Sequence, residues 1–325
     1  MEKIIGKSLA RLEHMTDSNG LVQHSDLDKP NPVHDYSIDD QARALIVLSR
    51  FSDEIIKENL AETYLGFITQ AQRVDGWFNN YKKTDGSWKG RDGKTENPDT
   101  LQDCYGRALW GLSRFLSSKY SSKLKAKAKT LFFNSLYNSN KLIYPHSLAF
   151  GIIGLSKLPE QNRRTKRIIS ELSRKLVDIY SKDKESWMTY CVARIPQAMI
   201  LAGKTLYDEK TEKIGKESLD LVIDRYFDAD GMFHAQKNLN GDEQPIEAGV
   251  MAEVCIDAYK VTKEDAYLKS AADALRWFGG ENSGKVNMLA ENGGVYDSIT
   301  KRGVNLNQGA ESLLAYLMAV GAIRK

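Results

Sequence analysis

The chain has 325 residues, with 46 Lys and Arg against 43 Asp and Glu, for a formal net charge of +3. A chain of that length buries enough apolar surface to fold without disulfides or structural metal, and so small an overall charge exerts no strong pull toward nucleic acid or an anionic membrane. Cys104, Cys191 and Cys255 lie far apart, with no CxxC spacing, each inside an apolar helical pattern, so reduced, buried thiols and a reducing compartment are expected.

The opening MEKIIGKSLARLEHM carries charges throughout and has no apolar core of the secretory kind. No stretch reaches the roughly 18 uninterrupted apolar residues of a membrane helix. A soluble, cytoplasmic protein is expected, with no membrane or nucleic-acid partner.

Apolar spacing predicts about twelve helices. In chain order they fall at 2–16, 39–51, 54–72, 102–117, 120–138, 145–157, 161–181, 186–203, 209–226, 245–259, 264–278 and 305–322. They come in two kinds. Segments 39–51, 102–117, 145–157, 186–203, 245–259 and 305–322 are apolar all round and rich in Ala, Gly and Leu, whereas 120–138 and 161–181 are amphipathic and lysine-rich. A helix apolar on every side is buried, and one with a charged stripe faces water. Alternation of the two kinds, with a hairpin repeat of about 50 residues, predicts an all-α (α/α)6 barrel over residues 1–325 as a single domain. The N-terminal helix serves as the sixth outer member. An open helical solenoid is the competing architecture.

The segments entering the buried helices are long (17–38, 73–101, 227–244 and 279–304), and those leaving them, such as 51–53, are short. Long loops in compact domains usually carry function. Because every inner helix begins at the same rim, these loops are expected to gather at one mouth.

Each inner helix opens on a polar cluster: Ser37, Asp39, Asp40 and Arg43; Gln102, Asp103 and Arg107; Tyr144 and His146; Trp187, Tyr190 and Arg194; Gln244 and Glu247, with Glu253 deeper; and Asn305, Asn307, Gln308 and Glu311. Asp39, and in part Asp103, fits the ordinary role of an acid at a helix start. Glu247 and Glu311 fit it less well. They sit in the apolar runs IEAGVMAEV and NQGAESLLA, where a carboxylate is costly unless paired or near water. Arg43, Arg107 and Arg194 are the candidate partners. Acids and arginines converging on one cavity make either a buried ion network or a catalytic site.

Glycoside hydrolysis needs two carboxyl groups across the scissile bond, and sugar faces stack on aromatic rings. The segment VDGWFNNYKKTDGSW supplies Trp77, Tyr81 and Trp88 to the mouth loops, with Trp187 nearby; packing beneath a lid is the alternative role for such rings. The five histidines form no HxH or HExxH pattern, and there is no GxGxxG after a strand, Walker A run or GxSxG elbow. No metal and no cofactor are therefore expected.

The segments SIDDQARALIVLSRF, LQDCYGRALWGLSRF, QPIEAGVMAEV and VNLNQGAESLLAYLMA resemble a six-hairpin glycosidase-like family whose members occur alone or attached to bacterial and archaeal glycosyltransferases. The resemblance spans roughly residues 20–322 and is most specific at DDQAR and NQGAES. It implies the six-hairpin fold, an oligosaccharide substrate and an association with a glycosyltransferase. The expected activity is inverting hydrolysis of an oligosaccharide. Asp103 is taken as the acid and Glu247 as the base, with Asp40 or Glu311 as substitutes. Asp39, Arg43, Arg107, Trp77, Tyr81, Trp88, His146, Trp187, Tyr190, Asn307 and Gln308 are expected to bind substrate. Two alternatives share the scaffold: a sugar-binding protein without turnover, and a sugar epimerase or isomerase using His146 and His234.

Overall fold

A computed structural model describes residues 2–53, 57–89, 98–182, 190–236 and 241–324. Their helices are α1 (Glu2–His14), α2 (Ile38–Arg50), α3 (Glu58–Ala71), α4 (Pro98–Leu116), α5 (Ser122–Ser135), α6 (Pro145–Ser156), α7 (Arg163–Lys182), α8 (Arg194–Leu206), α9 (Glu209–Tyr226), α10 (Pro245–Thr262), α11 (Asp265–Arg276) and α12 (Ala310–Ile323).

The even-numbered helices pack in a ring, α2 on α4, α4 on α6, α6 on α8, α8 on α10, α10 on α12 and α12 back on α2. That last contact closes the toroid and excludes the open solenoid. Each inner helix carries its successor on the outside, and α1 covers α12. The result is the expected (α/α)6 barrel. Among the described residues no helix is long and apolar enough to cross a membrane, and all three cysteines are buried and stand outside any disulfide.

Small residues allow the inner helices to approach closely. A Cβ placed on Gly111 of α4 would lie 2.6 Å from the Ala42 carbonyl of α2, and one on Gly249 of α10 would lie 2.5 Å from the Ala315 carbonyl of α12. Both gaps are below any ordinary contact, so only glycine fits there. The outer helices show the expected polarity. α7 buries Ile168, Ile169, Leu172 and Leu176 and turns its Arg and Lys residues to water.

Two helix starts depart most from the sequence reading. The helix expected from 305 begins at Ala310, because Gly303–Asn305 pairs with Ser298–Thr300 as a two-stranded hairpin. The helix expected from 186 begins, among the described residues, at Arg194. The chain turns at Cys191, which holds a positive φ of 52°. Further short strand pairs brace the entry loops: a hairpin of His24–Asp26 with Lys29–Asn31, and a long-range antiparallel pair of Tyr36–Ser37 with Tyr81–Lys82.

Candidate active site

The amino ends of the inner helices surround a cavity of about 600 Å³. Its wall is built in order round the ring. Helix α2 contributes Asp39, Asp40 and Arg43, and α4 contributes Asp103 and Arg107. Tyr190 precedes α8, and Gln244, Pro245 and Ile246 open α10. The segment entering α12 brings Asp297, Ser298 and Asn305, and α12 itself brings Glu311 and Ser312. Gln23, His24 and Tyr81 come from the entry loops.

Ser37 fixes the start of α2. Its hydroxyl accepts the Asp40 N–H at 3.2 Å and donates to Asp40 Oδ2 at 2.8 Å, a side-chain cap that also aims the carboxyl inward. Arg43, one turn on, reaches Asp40 Oδ1 at 3.0 Å and Glu311 Oε1 at 2.9 Å, and donates to the Tyr190 hydroxyl at 2.8 Å. Tyr190 in turn donates to Glu311 Oε1 at 2.7 Å. One guanidinium thus sits between two carboxyl groups of unequal exposure. The Asp40 side chain is 3% exposed, and that of Glu311 is 43% exposed and opens into the cavity.

Unequal exposure separates the acids. Burial raises the pKa of Asp40, against the pull of Arg43. Burial also opposes the charge of Glu311, but Arg43, the Tyr190 hydroxyl and Arg107 outweigh it and hold that carboxyl below its usual value. For Arg43 burial is likewise offset, by Tyr190, Glu311, Asp40 and Asp39, so the guanidinium stays charged. Burial lifts Tyr190 well above the ordinary phenol value and keeps it a donor. Asp297 accepts from the Gly309 N–H at 2.9 Å and the Ser312 hydroxyl at 2.8 Å. Burial still raises its pKa, and Glu311 adds to the rise. The cavity wall therefore holds a carboxyl biased toward ionisation, Glu311, and two biased toward protonation, Asp40 and Asp297. Such a division is what acid–base chemistry near neutrality requires.

Arg107 pairs with Asp39 at 3.1 Å and lies 4.2 Å over the Phe150 ring. Asp103 accepts from the Ser147 hydroxyl at 2.5 Å. Tyr81 stands at the rim.

Eight expected residues thus meet in the cavity: Asp39, Asp40, Arg43, Tyr81, Asp103, Arg107, Tyr190 and Glu311. Others do not. Glu247, expected opposite Asp103, accepts the Cys191 N–H at 2.8 Å, is 4% exposed and lies outside the lining. The turn at Cys191 presents a backbone donor that draws the carboxylate aside. Trp77 packs on Tyr105 with ring centroids 4.8 Å apart, and Trp88 packs edge-on against Phe67 at 5.2 Å, so both brace the entry loop from beneath. His146 is half-buried behind Asp103. Burial lowers its pKa, and its Nε2 has no partner among the described residues. His234, its proposed mate, is held at 3.3 Å by Asp228 and stands outside the lining. Asn307 accepts the Leu27 N–H at 2.9 Å, and Gln308 is buried, its N–H bound to Ser25. Both anchor the segment entering α12 to the first entry loop. Trp187 lies outside the described residues.

Sequence reasoning placed His24 in or near a mouth loop, where the structure has it on the wall, and missed Asp297. Asp297 follows a Gly-Gly turn in a loop already marked as functional by its length, but no local pattern distinguishes its carboxyl from those of turn-forming aspartates.

No family model and no curated protein matches the chain. Solved structures do match it. A cellobiose 2-epimerase from Bacillus thermoamylovorans B4167 is 13% identical, with all of both chains covered and a TM-score of 0.70. A D-mannose isomerase is 11% identical over 99% of this chain and 96% of its own, with a TM-score of 0.72. A protein described as a wild-type glycosidase is 11% identical over the same shares, with a TM-score of 0.62. At such identity the likeness establishes the barrel.

Proposed function

We propose that the protein processes a sugar in this cavity, and that the reaction is hydrolysis of an oligosaccharide with inversion. The observation that carries the reading is the opposed electrostatic setting of Glu311 and Asp297 in one polar cavity. Glu311 takes a proton from water as the water oxygen bonds the anomeric carbon, and Asp297 gives its proton to the departing glycosidic oxygen. Asp103, the acid expected from the sequence, is placed to bind a sugar hydroxyl. Arg43 and Tyr190 hold Glu311 ionised, and Tyr81 offers a ring at the rim. The resemblance adds an association with a glycosyltransferase to this proposal, and the three buried thiols add a reducing, cytoplasmic setting.

A second reading is epimerisation or isomerisation, in which a proton leaves a carbon beside the sugar carbonyl and returns. Its support is His24 on the wall, whose charge acts on Asp297, together with the barrels of an epimerase and an isomerase among the similar structures. Incubation with oligosaccharides and free sugars in water labelled with 18O, and separately in D2O, distinguishes them. Hydrolysis puts 18O on the new reducing end, and NMR of the first-formed anomer reads inversion or retention. Epimerisation puts deuterium on carbon without cleavage. Calorimetric binding with neither label incorporated would leave a sugar-binding protein and end the catalytic reading.

A further inference from the structure

Charge is distributed unevenly along the chain. From Ser117 to Lys182 there are fourteen Lys and Arg against three acids, Glu160, Glu171 and Asp178, so the remainder is net acidic although the whole carries only +3. Most of these cations fall on two outer helices of this stretch, α5 and α7, which flank the inner helix α6 in sequence and meet through the 3-10 segment Leu136–Lys141, which packs on both. Beside α5, toward the start of α7, runs an open groove of about 570 Å³. Its floor is apolar, with Leu116, Leu158, Pro159 and Phe133, the last 37% exposed; Lys125 and Lys129 stand on its α5 wall, and Glu160, its one acid, lies with Gln161 and Asn162 toward the start of α7. Lys125, Lys129 and Phe133 succeed one another at four-residue intervals, which makes one stripe along the helix. Arg163 and Arg164 follow at the start of α7.

Lys125 reaches the Ser118 carbonyl at 3.4 Å and, among the described residues, no acid. Among the described residues, Lys127, Lys129, Arg163 and Arg164 form no pair with an acid. An apolar floor under a basic rim is the complement of a helix with one apolar and one acidic face. A phosphate backbone would satisfy the rim and leave the floor wet, and a flat bilayer would not follow a concave groove.

We propose that this groove docks an acidic amphipathic helix of a partner protein. The groove lies by the carboxyl end of α4 and the start of α7, away from the amino ends that line the sugar cavity, so a docked helix leaves the mouth open.

The test is fluorescence anisotropy with a labelled synthetic peptide of about 18 residues, Leu at helical a and d spacing and Glu elsewhere. A scrambled peptide of equal composition, a duplex DNA and vesicles of 30% phosphatidylserine serve as competitors. The expected result is saturable binding of the ordered peptide at least ~10-fold tighter than the scrambled one, lost at least ~10-fold in Lys125→Glu/Lys129→Glu and several-fold in Phe133→Ser. Lys210→Glu, on α9, should change it less than ~2-fold, and unchanged circular dichroism shows that the variants fold. Absence of saturable binding up to ~200 µM at low salt overturns the proposal. So does scrambled peptide, DNA or vesicle binding as tightly as the ordered helix, which would make the face a plain polyanion patch.

Discussion

The barrel carries an arginine–carboxylate cluster at each end, and the two behave differently. At the closed end Glu253 is bonded by Arg50 and by Arg194, the latter at 2.7 Å; Gln197 joins Arg194 to Asp257, and Lys157 caps Asp257 at 2.5 Å. Glu253 and Asp257 are both buried, each held by two partners. At the mouth Glu311 has a similar set of partners in Arg43 and Tyr190, yet its side chain is 43% exposed to a cavity large enough for a sugar. The same chemistry is structural where it is saturated and dry, and available for reaction where one carboxyl keeps a face open. Charge alone does not mark a site; charge beside unfilled volume does.

The comparison can be broken at either end. The largest expected effect is at the mouth. Glu311→Gln should lower turnover by about 10³-fold, within the range for removal of an acid–base group, with the melting temperature nearly unchanged. An equal loss of turnover and stability would make Glu311 another structural pair. At the closed end Glu253→Gln should cost about 3 kcal/mol of stability in urea unfolding, because Arg50 and Arg194 lose their buried counter-charge.

Acid provides the next test. Lys157, with help from Gln197 and Arg50, overcomes the burial penalty and holds Asp257 at about 2, against an ordinary 3.8. A depressed carboxyl stabilises the fold fully above its unfolded value, and that stability is lost as pH falls through the folded one. Asp257 should therefore contribute about 2 kcal/mol at neutral pH that disappears between pH 4 and roughly 2, and Asp257→Asn should flatten unfolding free energy against pH in that window. At the mouth Glu311 is depressed and Asp297 raised. The pH profile of kcat/KM should then be bell-shaped, its acid limb below the usual Glu range and its basic limb above the usual Asp range. Asp297→Asn should remove the basic limb. The smallest effect is at Glu247. Since it serves the Cys191 backbone, Glu247→Gln should change kcat less than about 3-fold. A loss as large as that of Glu311→Gln would restore it to the reaction.

Much of this was legible without coordinates. Periodicity separated buried from amphipathic helices, and the asymmetry of loop lengths placed the mouth at the amino ends of the inner ring. The motif SIDDQAR brought Asp39, Asp40 and Arg43 to the wall, because residues one turn apart at a helix start share a face. The pairing of carboxylates was not legible. Glu247 and Glu311 both occupy first-turn places in similar apolar runs, and they part where a backbone N–H at the Cys191 turn bonds one while Arg43 and Tyr190 hold the other. Trp77 and Trp88 read as stacking platforms until their neighbours Tyr105 and Phe67 were in place.

The amino-acid sequence by itself determined the two kinds of helix, their alternation and the rim at which the polar loops gather, because these follow from local periodicity and from where polar residues interrupt it; closure of the ring came only with the contact of α12 on α2. Tertiary structure alone decided which acids face the cavity and which are spent on the protein itself. That choice depends on donors contributed by distant segments, and on whether water-filled volume remains beside a carboxyl after those donors are satisfied.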